Sequence, residues 1–130
     1  MKKMDQRGQI SIEFVLILAL MAIIVGAIAV YAGDANEQNV ISSAARQGAD
    51  NATTTLSLLN RSMNPVRVED IKTINNGTNI TLQIDITGSL SSIQSTTIAN
   101  SVLNSIAAQG YSLTNNSIVT SRHKYTVKIV

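Results

Sequence analysis

The chain changes character twice along its length. Lys2, Lys3, Asp5, Arg7 and Glu13 fall within the first thirteen residues, Phe14 to Gly33 carries neither charge nor proline, and charged side chains return at Asp34. A helix rises about 1.5 Å per residue, so the uncharged run would span roughly 30 Å, the thickness of a bilayer's hydrocarbon core. Past Gly33 the helical period persists but becomes two-sided. Ile41, Ala45, Gly48, Ala52, Leu56, Leu59 and Met63 share one face, with Asn39, Ser43, Arg46, Asp50, Thr53, Ser57 and Asn60 opposite. No proline interrupts before Pro65. The spacing predicts one helix from about Gln9 to about Asn60, roughly 75–80 Å long. Its first half is apolar all round, and its second half lays one stripe on a head domain.

The head begins after Pro65. Val66, Val68, Ile71 and Ile74 are apolar but lose strict alternation around Glu69-Asp70, which predicts a bulge. Ile80, Leu82, Ile84 and Ile86 alternate with Thr81, Gln83, Asp85 and Thr87, the pattern of a half-buried strand. Asn76-Gly77 between the two runs is a hairpin signal. Ser91 and Gln94 have capping-box spacing, and Ile93, Ala99, Val102, Leu103 and Ile106 then keep helical spacing until Gly110. The tail offers two further strands, Ser117 to Thr120 and His123 to Val130. The expected fold class is α+β, in the order α-β-β-α-β-β, with an antiparallel sheet packed on the second half of the long helix. Strand order is not readable from these patterns.

Ala19, Ala22, Gly26, Ala29 and Gly33 recur at alternating spacings of three and four within the apolar run, so they form one stripe along the helix. Small side chains let helices approach closely, and such a stripe is a candidate packing face. Ala and Gly are also simply common in membrane helices. A helix with one apolar half cannot be a soluble monomer; burial against copies of itself by a repeated, non-closing contact would give a helical filament.

Composition narrows the picture from there. The net charge of +2 comes from the leader, because from Gln9 onward seven basic side chains face seven acidic ones. That balance argues against nucleic acid as a partner. There is no cysteine, so extracellular stability would rest on packing, assembly or glycans. Aromatics are few (Phe14, Tyr31, Tyr111, Tyr125), which predicts an aliphatic core. His123 is the only histidine, so no catalytic triad can be composed, and no cofactor or metal motif is present. Asp34 and Glu37 read as a solvated collar rather than a calcium site. The chain is not expected to be an enzyme.

Asn51, Asn60, Asn76, Asn79 and Asn115 each stand two residues before Ser or Thr. Twelve asparagines in a chain one-fifth Ser and Thr would give about two or three such sequons by chance. All five follow the apolar run, on the side where an outward-facing head would meet glycosylation. Asn76, at a hairpin tip, reads as the most accessible.

The segment Gly8-Gln9-Ile10-Ser11-Ile12-Glu13-Phe14, with basic residues before it and the apolar run behind it, resembles the class III (prepilin-type) signal of archaeal type IV-like pilins. The resemblance covers about 25 residues, and six elements agree in order: basic leader, Gly, Gln, Ser, Glu and apolar run. It implies a signal peptide over residues 1–8, cleavage between Gly8 and Gln9 by a prepilin peptidase, a helix over 9–64 whose half 9–33 is transmembrane and later filament core, and a β-rich head over 65–130. It implies a membrane-inserted precursor, export by the pilus assembly machinery and a homo-oligomeric extracellular filament serving adhesion. Glu13, with Ser11 and Phe14 beside it, takes the family's assembly role, in which the glutamate aligns an incoming subunit. An unpaired carboxylate beside lipid is costly. Its relief could come from the N-terminal amine of a neighbour or, if Gln9 cyclises to pyroglutamate, from an N–H or hydroxyl such as Ser11. A glutamate that merely snorkels to the interface is the plainer reading. The alternative for the whole chain is a membrane-anchored minor pilin-like or solute-binding accessory protein. A head with few aromatics is a poor match for a sugar-binding pocket.

Overall fold

The computed structural model describes residues 6–62 and 64–130, with side chains from residue 11 onward. Lys2, Lys3 and Met63 therefore lie outside the described residues. The chain divides into two compact units, Met1–Gln38 and Asn39–Val130. The elements run α1 (Gln6–Leu59), β1 (Arg67–Asn76), β2 (Asn79–Thr87), α2 (Ser92–Ala107), β3 (Ser112–Thr114), β4 (Ser117–Val119) and β5 (Lys124–Ile129). The α+β class with a long first helix and a second, shorter one is as the sequence pattern predicts.

In the second unit, residues 41–52 of α1 and the buried face of α2 share one hydrophobic cluster with the inner face of the sheet. Ile41, Ala44, Ala45, Ala49 and Ala52 come from α1, and Ile98, Val102, Leu103 and Ile106 from α2. Ile80, Leu82, Ile84 and Ile86 from β2, Ile118 from β4 and Tyr125 from β5 complete it. The core is aliphatic apart from Tyr125, the largest of the fully buried side chains. The α1 contribution is nearly all alanine because the two helices come very close. The Ser101 Oγ donates to the Gly48 carbonyl at 2.9 Å. A Cβ built on Gly48 would stand 2.8 Å from the Ser101 carbonyl oxygen and 2.9 Å from the Val102 Cα. Only glycine fits there.

Two sequence readings of helix faces need correcting. Thr53, read as polar and outward, is 4% exposed; its hydroxyl turns back to donate to the Ala49 carbonyl at 3.0 Å, so its burial leaves no orphan. Ile93 and Leu59, read as core, are exposed. Ile93 lies in the first turn of α2, at 100° per residue on the far side from Val102 and Ile106. Ile98 takes the core position instead.

The sheet has five strands in the order β1-β2-β5-β4-β3. It is mixed, not antiparallel as expected, because β2 and β5 pair in parallel from Asn79↔Lys124 to Ile84↔Ile129. After β2 the chain passes through α2 and the β3–β4 hairpin, so it re-enters beside the start of β2 and runs the same way, as a long crossover allows. The additional strand is β3. It pairs Ser112 with Val119 across a two-residue turn in which Asn115 and Asn116 both have positive φ, 48° and 58°. Both central residues of a type I′ turn need that conformation, and asparagine tolerates it better than most.

Other local predictions hold. The β1–β2 register shifts between Val68 and Asp70, where the lost alternation placed a bulge. Ser91 and Gln94 form both bonds of a capping box. The first hairpin is displaced by one residue from the expected position. Asn76 pairs with Asn79, so the loop is Gly77-Thr78, and the positive φ falls on Gly77 (69°). On the outer face, Lys72 Nζ donates to Asp85 Oδ2, and Gln83 Nε2 donates to Asp85 Oδ1 at 3.0 Å. The Lys72 and Gln83 bonds hold the Asp85 carboxyl below the ordinary range, and the Asp85 bond raises the Lys72 ammonium. At an exposed pair this adds little to stability.

Candidate functional site

The first unit holds most of the residues that the sequence singles out as candidates. Gly8 and Gln9 lie inside α1, and residues 11–32 follow in the same helix with every position exposed. From Ile12 to Tyr31 each large apolar side chain is at least 45% exposed, Phe14 at 60%. Taking one such side chain out of water yields about 1.5–3 kcal/mol. Summed over this segment, the available burial is of the order of tens of kcal/mol. Lipid or other apolar helices would supply that burial. Among the described residues, α1 is the one helix long and apolar enough to cross a membrane.

Glu13 is exposed at the head of this segment, with Ser11 and Phe14 exposed beside it. Its nearest charged neighbours along the described helix are Arg7 before it and Asp34 beyond the apolar run. Position in sequence places it; α1 carries it at the boundary between a polar end and an uncharged cylinder.

The structure carries the small-residue stripe on one side of α1. At 100° per residue, Ala19, Ala22, Gly26, Ala29 and Gly33 fall within an arc of about 80°. Ala19, Ala22, Gly26 and Ala29 are exposed and Gly33 is half-buried. A Cβ on Gly26 would meet nothing within 4 Å. Gly26 is therefore unconstrained within the chain, unlike Gly48. If the stripe seats a neighbouring helix, Gly26→Leu should leave the head's melting temperature unchanged and lower the yield of sheared filaments severalfold. Undiminished yield would remove the stripe from the packing face.

The five sequon asparagines all lie in the second unit and all are exposed. Asn51 is helical, Asn60 directly follows α1, Asn76 and Asn79 are register partners on either side of the first hairpin, and Asn115 occupies the second turn. His123 sits in the β4–β5 loop, where its N–H donates to the Thr120 hydroxyl at 2.9 Å and its ring stands edge-on to Tyr125 with centroids 6.0 Å apart. Among the described residues no group of three or more His, Cys, Asp or Glu could hold a metal ion. The sequence reading missed Gly48 as a close-contact site. Its signal was available, since Ala44, Ala45, Gly48, Ala49 and Ala52 form a run of small residues on one helix face.

Residues 8–50 match the model of the TadE-like protein family, about a third of the chain and the part that holds Gly8, Glu13 and the apolar run. No curated protein and no solved structure matches the chain.

Proposed function

We propose that this chain is a structural subunit of an extracellular type IV-like adhesive pilus, starting from the similarity of residues 8–50 to the pilin-like TadE-like family. The precursor sits in the membrane through the apolar half of α1, with its basic end in the cytoplasm and its head outside. A prepilin peptidase cuts between Gly8 and Gln9 and leaves the apolar helix on the mature chain. Extraction then exchanges lipid for neighbouring helices around the filament axis. The observation that carries this reading is the uninterrupted exposure of residues 11–32, in which Glu13 is the single charged side chain. A plain anchor would need the apolar length but not the glutamate. In the membrane the carboxylate carries a desolvation penalty, and a neighbour's N-terminal amine or N–H relieves it at the filament base. The wild-type Gly8-Gln9-x-Ser-x-Glu-Phe pattern favours the archaeal form of the signal.

The deciding experiment is intact-mass and N-terminal peptide analysis of filaments sheared from cells, beside the membrane pellet. A sheared species starting at Gln9, or at its pyroglutamate form about 17 Da lighter by loss of ammonia, is expected. A chain starting at Met1 and confined to the pellet would instead make this an anchored accessory protein. Gly8→Val should leave the precursor uncut and abolish the sheared species, since a β-branched side chain takes the place of the one residue without a side chain at the cut. Normal filaments from that variant would overturn the cleavage site.

A further inference from the structure

The five sequons are all exposed at asparagine but differ at the hydroxyl two residues on, and a transferase reads both. Asn51 is held in α1, and its Thr53 is buried with its hydroxyl committed to the Ala49 carbonyl. Asn79 begins β2, which is paired on both edges, by β1 and by β5. Its Thr81 is half-buried, with Oγ1 3.3 Å from the Thr126 Oγ1. Asn115 sits in the β3–β4 turn, but its Ser117 is only 5% exposed in β4 between two strands.

The other two differ. Asn60 has left the helix, and its Ser62 is exposed in a turn. Asn76 ends β1, an edge strand, and its Thr78 is exposed in the hairpin loop. In both, asparagine and hydroxyl are exposed together at the end of an element, and outside the strand ladders the backbone ties there are single ones, from the Asn60 N–H to the Leu56 carbonyl at 3.0 Å and from the Lys124 N–H to the Thr78 carbonyl at 2.8 Å.

We infer that Asn60 and Asn76 are the N-glycan acceptor sites of the folded chain, whereas Asn51, Asn79 and Asn115 are closed by the fold and accept a glycan only from unfolded polypeptide. The donor is a polyprenyl-phosphate-linked oligosaccharide. The asparagine Nδ2 attacks its anomeric carbon, the new N–C bond forms as the C–O bond to phosphate breaks, the phosphate leaves with the electron pair, and the amide proton passes to solvent. That these sites meet a transferase in the cell rests on the pilus reading, which places the head outside. The selectivity rests on the fold alone.

The test is transfer in vitro. Full-length folded chain in detergent micelles, and synthetic peptides spanning each sequon, are incubated with an oligosaccharyltransferase and a lipid-linked oligosaccharide, and site occupancy is read by mass spectrometry. The peptides set the intrinsic preference of each sequon. Folded-chain rates at Asn60 and Asn76 should stay within a few-fold of their peptides, while those at Asn51, Asn79 and Asn115 fall by about tenfold or more, because modification there waits on local unfolding. Peptide-like rates at any of the three closed sites, or suppression at Asn60 and Asn76 as deep as theirs, would overturn the assignment. The sheared-filament analysis can fail independently, so the two results separate the selectivity from the export it presupposes.

Discussion

Glu13→Ala should accumulate in the membrane as a cleaved chain starting at Gln9, at wild-type abundance, while the sheared filament fraction falls by about ten- to a hundredfold. The magnitude follows from the bond at stake: hydrogen bonds to charged groups contribute about 1.5–3 kcal/mol, and each 1.4 kcal/mol is about a factor of ten. Insertion should survive because the apolar run from Phe14 is untouched, and alanine lowers its cost in lipid. Glu13→Gln separates the two partners. If the partner is a neighbour's N-terminal amine, glutamine loses the charge and assembles as poorly as alanine. If Gln9 has cyclised and the partner is an N–H or the Ser11 hydroxyl, glutamine still accepts the bond and restores most of the yield. Wild-type yield from Glu13→Ala would sink the pairing mechanism and leave a glutamate that only reaches for the interface.

Gly48→Val should destabilise the head by about 3 kcal/mol, the upper end of the usual overpacking cost. The neighbours that a Cβ would strike are the Ser101 carbonyl oxygen and the Val102 Cα, both main-chain atoms that cannot rotate aside, together with the Ser105 Cβ. Relief requires α2 to move off α1, which opens the core at Ala45, Ala49, Val102 and Ile106 and strains the bond from Ser101 to the Gly48 carbonyl. For a unit of this size the melting temperature should drop by roughly 12 °C or more. Near-ultraviolet signal from buried Tyr125 is the right probe, because the apolar half of α1 dominates the total helical signal and will not melt with the head. A shift below about 2 °C would mean that the two helices slide apart freely.

The local chemistry of the fold was largely legible, and its long-range order was not. The Ile80–Ile86 alternation, the Ser91/Gln94 cap and the bulge near Glu69-Asp70 are each written in a few adjacent residues, where pattern and conformation are directly coupled. β3 was missed because Ser112–Thr114 is too short to alternate, and Asn115-Asn116 drew notice as a sequon rather than as a turn that needs two positive φ angles. The parallel pairing of β2 with β5 joins residues 45 apart (Asn79 with Lys124), and no local pattern encodes which strands meet. For the candidate segment at the head of α1 the position is reversed. The exposed apolar run was visible at once because an unbroken uncharged stretch is written in composition and needs no tertiary context. What the structure adds there is contrast: Gly26 stands in open space and Gly48 in a vice, although a sequence presents both as one more small residue in a stripe.

The placement of β5 has a consequence for synthesis. Of these five strands, the last in chain order is the middle strand of the sheet, with β2 on one side and β4 on the other. Until Lys124–Ile129 arrives, β1–β2 and β3–β4 are two separate hairpins with a missing seam, and neither alone is expected to be stable in water. The sheet therefore cannot close before β5 has been synthesised. A chain truncated before Lys124 keeps α1 whole yet never completes the sheet, so β5 acts as the fold's own check that the strands before it are joined.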